Sequence, residues 1–175
     1  TFSYPGSPDL VFDLAGFQID DAWRLGLIGR NGRGKTTLLR LLMGEYSYGG
    51  SLVSSTAFCY FPSPVPQPER LTAEVLEDLC PRAESWRFAR ELALLDVGEE
   101  ALWRPFATLS NGERTKVLLA ALFLEEGRFP LIDEPTNHLD AHGRALAARY
   151  LRRQGGFILV SHDRRFLDGC VDHIL

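Results

Sequence analysis

One stretch, Gly29-Arg30-Asn31-Gly32-Arg33-Gly34-Lys35-Thr36-Thr37, constrains this chain more than any other. Two glycines with four residues between them stand directly ahead of a lysine and a hydroxyl residue, which is the phosphate-loop pattern. The apolar run at 25–28 before it reads as a buried strand, and 38–43 after it reads as a helix. Between such elements, glycines let the backbone turn its N–H groups toward a polyphosphate, and the helix N-terminus adds partial positive charge. Lys35 is placed to reach β- and γ-phosphates, and the Thr36 hydroxyl to ligate Mg²⁺. A chance glycine-rich turn would lack the flanking strand and helix. By itself the loop implies only that the chain binds a nucleoside triphosphate.

The remaining composition sets outer limits. A chain of 175 residues can bury the core of one domain. Hydrophobic content of 45% and charged content of 24% are those of an ordinary soluble globular protein. No stretch approaches the roughly 20 apolar residues of a membrane span, so direct membrane insertion is not expected. The polar, proline-containing start gives no secretory signal, and a first residue other than Met is expected of a fragment or trimmed chain. A net charge of −4 argues against a protein that coats nucleic acid generically. All basic residues but Lys35 and Lys116 are arginine, which suits phosphate and RNA contacts but equally reflects biased codon composition. Cys59, Cys80 and Cys170 lie far apart and form no CxxC, so reduced, partly buried thiols in a cytoplasmic protein are expected.

Along the chain, short apolar segments at 2–4, 10–12, 17–19, 25–28, 52–53 and 58–61 read as strands, several of them antiparallel. Pro64, Pro66 and Pro68 make 63–69 an extended loop. Helical spacing follows at 71–79, with Thr72 as a candidate N-cap, then at 86–95 and briefly at 99–103. A strong helix is predicted over 110–124, where Ser110 and Glu113 have capping-box spacing. The apolar pairs and runs at 131–132 and 157–160 read as buried parallel strands. Each carries polar residues at its C-terminal end, where open α/β sheets bind ligands. A helix over 141–153 connects them. Pro130 has no N–H for a sheet and is expected at the first residue of its strand.

Five further elements follow the phosphate loop in order or flank it: Leu109-Ser110-Asn111-Gly112-Glu113, Leu131-Ile132-Asp133-Glu134-Pro135, Asn137-His138-Leu139-Asp140, Ser161-His162-Asp163 with the residues to Asp168, and upstream Tyr4. Their joint order resembles the nucleotide-binding domain of the ATP-binding cassette (ABC) superfamily over essentially the whole chain. The phrase Glu134-Pro135-Thr136-Asn137-His138-Leu139-Asp140 and the run 161–168 resemble the ABC-F branch, which lacks membrane domains and acts on ribosomes. Phe2-Ser3-Tyr4-Pro5-Gly6-Ser7, Tyr60-Phe61-Pro62 and the stretches 104–113 and 115–124 resemble its Lsa-type antibiotic-resistance members. The resemblance implies one α/β domain of the P-loop NTPase, ABC type over 1–175. Its mixed sheet core would carry an antiparallel N-terminal β subdomain and a short helical insertion at about 71–124. The part at 71–106 has room for short helices but not for a long arm. The resemblance also implies the first of two such domains, with the interdomain linker beginning after Leu175.

The roles expected from this resemblance are specific. Gly29, Arg30, Asn31, Gly32, Arg33, Gly34, Lys35, Thr36 and Thr37 bind ATP. Asp133 and Thr36 hold Mg²⁺, whose charge serves phosphoryl transfer. Glu134 polarises or deprotonates the attacking water. His162 contacts the γ-phosphate or orients that water. Ser110, Asn111, Gly112 and Glu113 open a helix whose N-terminus suits an anion, and in the superfamily they meet the ATP of the opposite domain. Asp140, with His138, belongs to the loop expected at the contact between domains. Tyr4 stacks on adenine or is a core tyrosine. His142 and His173 are surface or structural residues. The superfamily's glutamine after the second core strand falls at Ser63, with Gln67 four residues on, and the role belongs to one of the two or to neither. The implied partners are a second nucleotide-binding domain, in cis or as a homodimer, and the ribosome. The rival from another class is the ATPase subunit of a membrane transporter, which would share the phosphate loop and carboxylates.

Overall fold

A computed structural model describes residues 1–30 and 32–175. The expected role of Asn31 therefore lies outside the described residues.

The core is a five-stranded, all-parallel sheet. Its strands are β3 (Arg24–Leu27), β4 (Ala57–Phe61), β5 (Arg128–Asp133), β6 (Phe157–Val160) and β7 (His173–Ile174), in the order β4-β5-β6-β3-β7. All four residues of β6 are buried, as a strand covered on both faces requires. Side chains alternate across the sheet. Leu25, Leu27, Phe129, Leu131, Ile158 and Val160 pack on one face with Leu39 of α1 (Lys35–Leu42). Ile132, Phe157 and Leu159 join the larger cluster on the other face, with α4 (Asn111–Leu124) and α5 (Ala141–Arg152). The chain closes with α6 (Arg164–Cys170), which packs against α5.

A separate antiparallel pair, β1 (Phe2–Ser3) and β2 (Leu10–Phe12), lies beside the phosphate loop. The expected mixed sheet thus resolves into a parallel core and a small antiparallel sheet. Two predicted strands do not form. Phe17-Gln18-Ile19 and Leu52-Val53 carry strand-like apolar residues, but neither finds a pairing partner among the described residues, and Phe17 and Val53 are exposed. Strand character at these sites measures fit to a pleated surface, and no neighbouring strand among the described residues supplies one.

The helical insertion contains α2 (Thr72–Leu79), α3 (Ser85–Leu94) and two 3₁₀ turns at Glu99–Trp103 and Phe106–Thr108. Thr72 is not the N-cap of α2. Its hydroxyl donates to the Arg104 carbonyl at 2.9 Å, while the Glu74 carboxylate accepts from the Leu71 N–H that precedes the helix. Ser110 caps α4 as predicted: its hydroxyl accepts from Glu113 N–H, and its own N–H donates to Glu113 Oε2 at 2.7 Å.

Pro130 is not the first residue of its strand but the third. Opposite Cys59 of β4 it has a neighbour on that side only, because the pairing of β5 with β6 starts one residue later, at Leu131↔Ile158. A missing N–H is tolerated where a strand is locally an edge. The three cysteines are buried free thiols, and burial pushes each up to about 12.

Candidate active site

The site forms where three parallel strands end. β3 runs into the phosphate loop, β5 ends in Asp133 and Glu134, and β6 runs into Ser161 and His162. Adjacent parallel strands in register carry these ends to one edge: Asp133 pairs with Val160, and Leu27 also pairs with Val160.

The loop backbone takes the shape its glycines permit. Gly34 sits at φ 86° and directly precedes α1; a Cβ there would lie 2.7 Å from Val11 Cγ1. Gly32 sits at φ 75°. Lys35 Nζ donates to the carbonyls of Gly29 at 2.7 Å and Arg30 at 3.1 Å, so its ammonium lies over the loop. Gly29, Arg30, Gly32 and Arg33 are exposed around it. Thr37 is buried, and its hydroxyl is 2.6 Å from that of Tyr4.

Thr36 and Asp133 come together as the sequence predicts. The Thr36 hydroxyl donates to Asp133 Oδ2 at 2.7 Å, and the Tyr60 hydroxyl donates to the same oxygen at 2.9 Å. Asp133 Oδ1 is buried and has no hydrogen-bond partner among the described residues. An orphaned buried carboxylate oxygen is costly unless a cation or ordered water meets it. One carboxylate plus a hydroxyl is the small oxygen set on which Mg²⁺, keeping its waters and substrate phosphates, depends. The residues present therefore fit a hydrated Mg²⁺ between Thr36 and Asp133.

Glu134 is held in an uncommon way. Its backbone is left-handed at φ 49°, and its N–H donates to the Val160 carbonyl at 2.9 Å. A non-glycine residue in this region stores strain, which persists only where the surroundings enforce it. The turn directs the carboxylate to the end of β6, where Oε2 accepts from His162 N–H at 3.3 Å. His162 Nε2 lies 3.0 Å from Oε1. That oxygen is buried and accepts no hydrogen bond among the described residues. Burial raises the Glu134 carboxyl above the usual range, the His162 N–H and ring work against it, and the nearby Asp133 reinforces it. A raised carboxyl next to a carboxylate placed to meet a cation is the pairing expected of a general base.

The opening of α4 borders the same place. Asn111 and Arg114 line a cleft of about 490 Å³ together with Thr36, Tyr60, Asp133 and Glu134. Gly112 approaches the loop after β5, where a Cβ would sit 3.3 Å from the His138 carbonyl. The Ser110 N–H holds the Glu113 carboxylate below its usual range, so the helix start keeps a fixed negative group that answers its own N–H dipoles. Asp140 caps α5, accepting from Gly143 N–H at 2.7 Å. Tyr4 is half-exposed, with edge contacts to Phe2 and Tyr46. Ser63 donates to the Tyr60 carbonyl at 3.1 Å and Gln67 is exposed; neither lines the cleft, whereas Phe61 and Pro62 do. His142 pairs with Asp96, and His173 stacks on Trp23. Tyr60 is the site residue that sequence reasoning missed. The signal that ties it to the site is register: it pairs with Leu131, two residues before Asp133 and on the same face.

The ABC transporter family pattern matches residues 12–137. The ribosome protection protein VmlR of Bacillus subtilis is 37% identical over 90% of this chain and 30% of its own length. ABC transporter F family member 3 of Arabidopsis thaliana is 31% identical over 99% of this chain and 25% of its own length. The archaeal ribosome recycling factor aABCE1, solved in complex with a ribosomal stalk protein, superposes with a TM-score of 0.76 at 25% identity, covering 89% of this chain and 32% of that one. The chain spans about a quarter of the length of the curated relatives it matches. No helix among the described residues is long and apolar enough to cross a membrane. With the phosphate loop, paired carboxylates and capped α4 in family order, the chain belongs to the ABC transporter family as one of its ATPase domains, and its relatives include ABC-F members.

Proposed function

We propose that this domain binds and hydrolyses MgATP as one half of a paired ABC ATPase, within an ABC-F ribosome protection protein that gives antibiotic resistance. The observation that carries the catalytic part is the meeting of Thr36 with Asp133 and of Glu134 with His162 at one sheet edge. The 37% identity to a ribosome protection protein supports the cellular role.

Each residue has a defined task. The loop N–H groups and Lys35 bind the phosphates, and Lys35 exchanges the Gly29 and Arg30 carbonyls for phosphate oxygens. Thr36 and Asp133 hold Mg²⁺, which when bound spreads the charge developing on the transferred phosphoryl group. Glu134, raised by burial, takes the proton of the attacking water, and His162 keeps that carboxylate aimed. The α4 start, Ser110 to Glu113, faces the ATP of a second domain with the N–H groups of Asn111 and Gly112, which the Ser110–Glu113 box does not use, beside the Asn137–Asp140 loop. Closing two domains over ATP excludes water and strengthens these electrostatics. The isolated domain then binds MgATP but turns it over slowly.

The test uses the full-length protein carrying Glu134→Gln and its second-domain equivalent, sedimented with and without ATP. ATP-dependent co-sedimentation with ribosomes is expected. Movement to the membrane fraction without ribosomes would point instead to a transporter ATPase subunit and overturn the proposal.

A further inference from the structure

We infer that Tyr60 is a positioning residue for the divalent cation: its phenol, with Thr36, fixes Oδ2 of Asp133 so that Oδ1 alone is presented to the metal. This rests on the reading of Asp133 as a metal-binding residue. Three observations carry it. Both neighbouring hydroxyls donate to the same carboxylate oxygen, Thr36 at 2.7 Å and Tyr60 at 2.9 Å. The other oxygen is buried and unpartnered among the described residues. Tyr60 itself is anchored by the sheet, in register with Leu131 of the strand that ends in Asp133.

The two hydroxyls do different work. Thr36 is expected to ligate the cation itself, and its proton on Asp133 leaves its lone pairs free for that task. Tyr60 approaches from the side of β4 and spends its proton on Oδ2 of Asp133. Without it, one hydroxyl must both ligate the metal and orient the carboxylate. The carboxylate can then rotate about its last torsion, which is broad. Partners that orient a metal-binding group typically change metal affinity about 10–100-fold when removed.

The experiment measures ATP affinity of the purified chain in Mg²⁺ and in EDTA, for wild type, Tyr60→Phe and Asp133→Asn. Removing the phenol oxygen should leave the EDTA affinity unchanged and cut the Mg²⁺ enhancement about 10-fold. A purely structural role would lower both affinities together. If Tyr60→Phe keeps the full enhancement while Asp133→Asn loses it, the inference about Tyr60 fails and the metal-site reading stands. If Asp133→Asn also keeps it, the metal-site reading fails and takes the inference with it. Should Tyr60→Phe not fold, 3-fluorotyrosine at position 60 retains the donor. Its ¹⁹F resonance should then move when Mg²⁺ joins bound ATP, and an unmoved resonance overturns the inference.

Discussion

Glu134 and His162 hold each other at the ends of adjacent strands: the His162 N–H donates to Oε2 at 3.3 Å, and its ring Nε2 stands 3.0 Å from Oε1. The contact depends on the left-handed turn at Glu134, because an ordinary extended residue after Asp133 would continue the strand past β6. Strain, burial and an unsatisfied oxygen therefore converge on one residue, a combination that structures retain at functional positions.

This has a consequence for stability as well as catalysis. Burial raises the Glu134 carboxyl, so the fold favours its protonated form and loses stability as pH rises through the raised pKa. Glu134→Gln is neutral at every pH. It should melt higher than wild type at neutral pH, and the difference should vanish well into the acid range, where both side chains are uncharged. The same variant should lose about 10²-fold or more in turnover, the scale of a lost general base. Calorimetric melts across pH with a turnover assay check both.

Gly34 and Gly29 should respond differently to alanine. At Gly34 a Cβ meets both a positive φ of 86° and Val11 at 2.7 Å. Gly34→Ala should cost about 1–3 kcal/mol and weaken ATP binding. Gly29 has neither obstacle, so Gly29→Ala should stay within about 0.5 kcal/mol in stability. Denaturant titration of both variants separates them.

Inside the insertion, Glu91 is a buried acid that depends on its partners. Tyr150 donates to Oε2 at 2.9 Å, and Arg90 reaches Oε1 at 2.7 Å. Tyr150→Phe leaves a buried carboxylate oxygen short of a donor and should cost about 1–3 kcal/mol. ATP affinity should not change, because this pair joins α3 to α5 away from the phosphate loop.

Ser110 has one task in the domain and another in the proposed pair. Ser110→Ala should cost about 1 kcal/mol through the lost cap. Ser110→Asp restores a capping acceptor and should recover the melting temperature. It also sets a negative charge against the partner's phosphates, so turnover by the paired enzyme should not recover. Stability and activity that returned together would remove the pairing role of this helix start.

Much of this site was legible because its parts are local. The phosphate loop needs glycine at fixed offsets, the Ser110–Glu113 box needs two residues three apart, and Asp133 and Glu134 follow an apolar run. The parallel strands at 157–160 and 131–132 showed as continuous apolar stretches, since both their faces are covered. What escaped was non-local. Tyr60 lies in a segment that carries the family resemblance, but its reach to Asp133 comes through the register of β4 on β5 and is not written in that segment. Thr72 looked like a cap because its type and position were right, but the Arg104 carbonyl, distant in sequence, claims its hydroxyl. Phe17 and Leu52 carried strand propensity without a partner strand, and pairing decides what propensity only permits. Pro130 was misplaced within its strand because the offset between two neighbouring ladders cannot be read from one segment.

The most direct test of a shared catalytic site is turnover per domain as a function of protein concentration, in Mg²⁺ and saturating ATP. If Glu134 needs the α4 start of a second domain across from it, activity per domain should rise with concentration as pairs form. A rate per domain that is fast and constant through dilution to monomers would contradict the account, because Lys35, Asp133 and Glu134 would then complete the site alone.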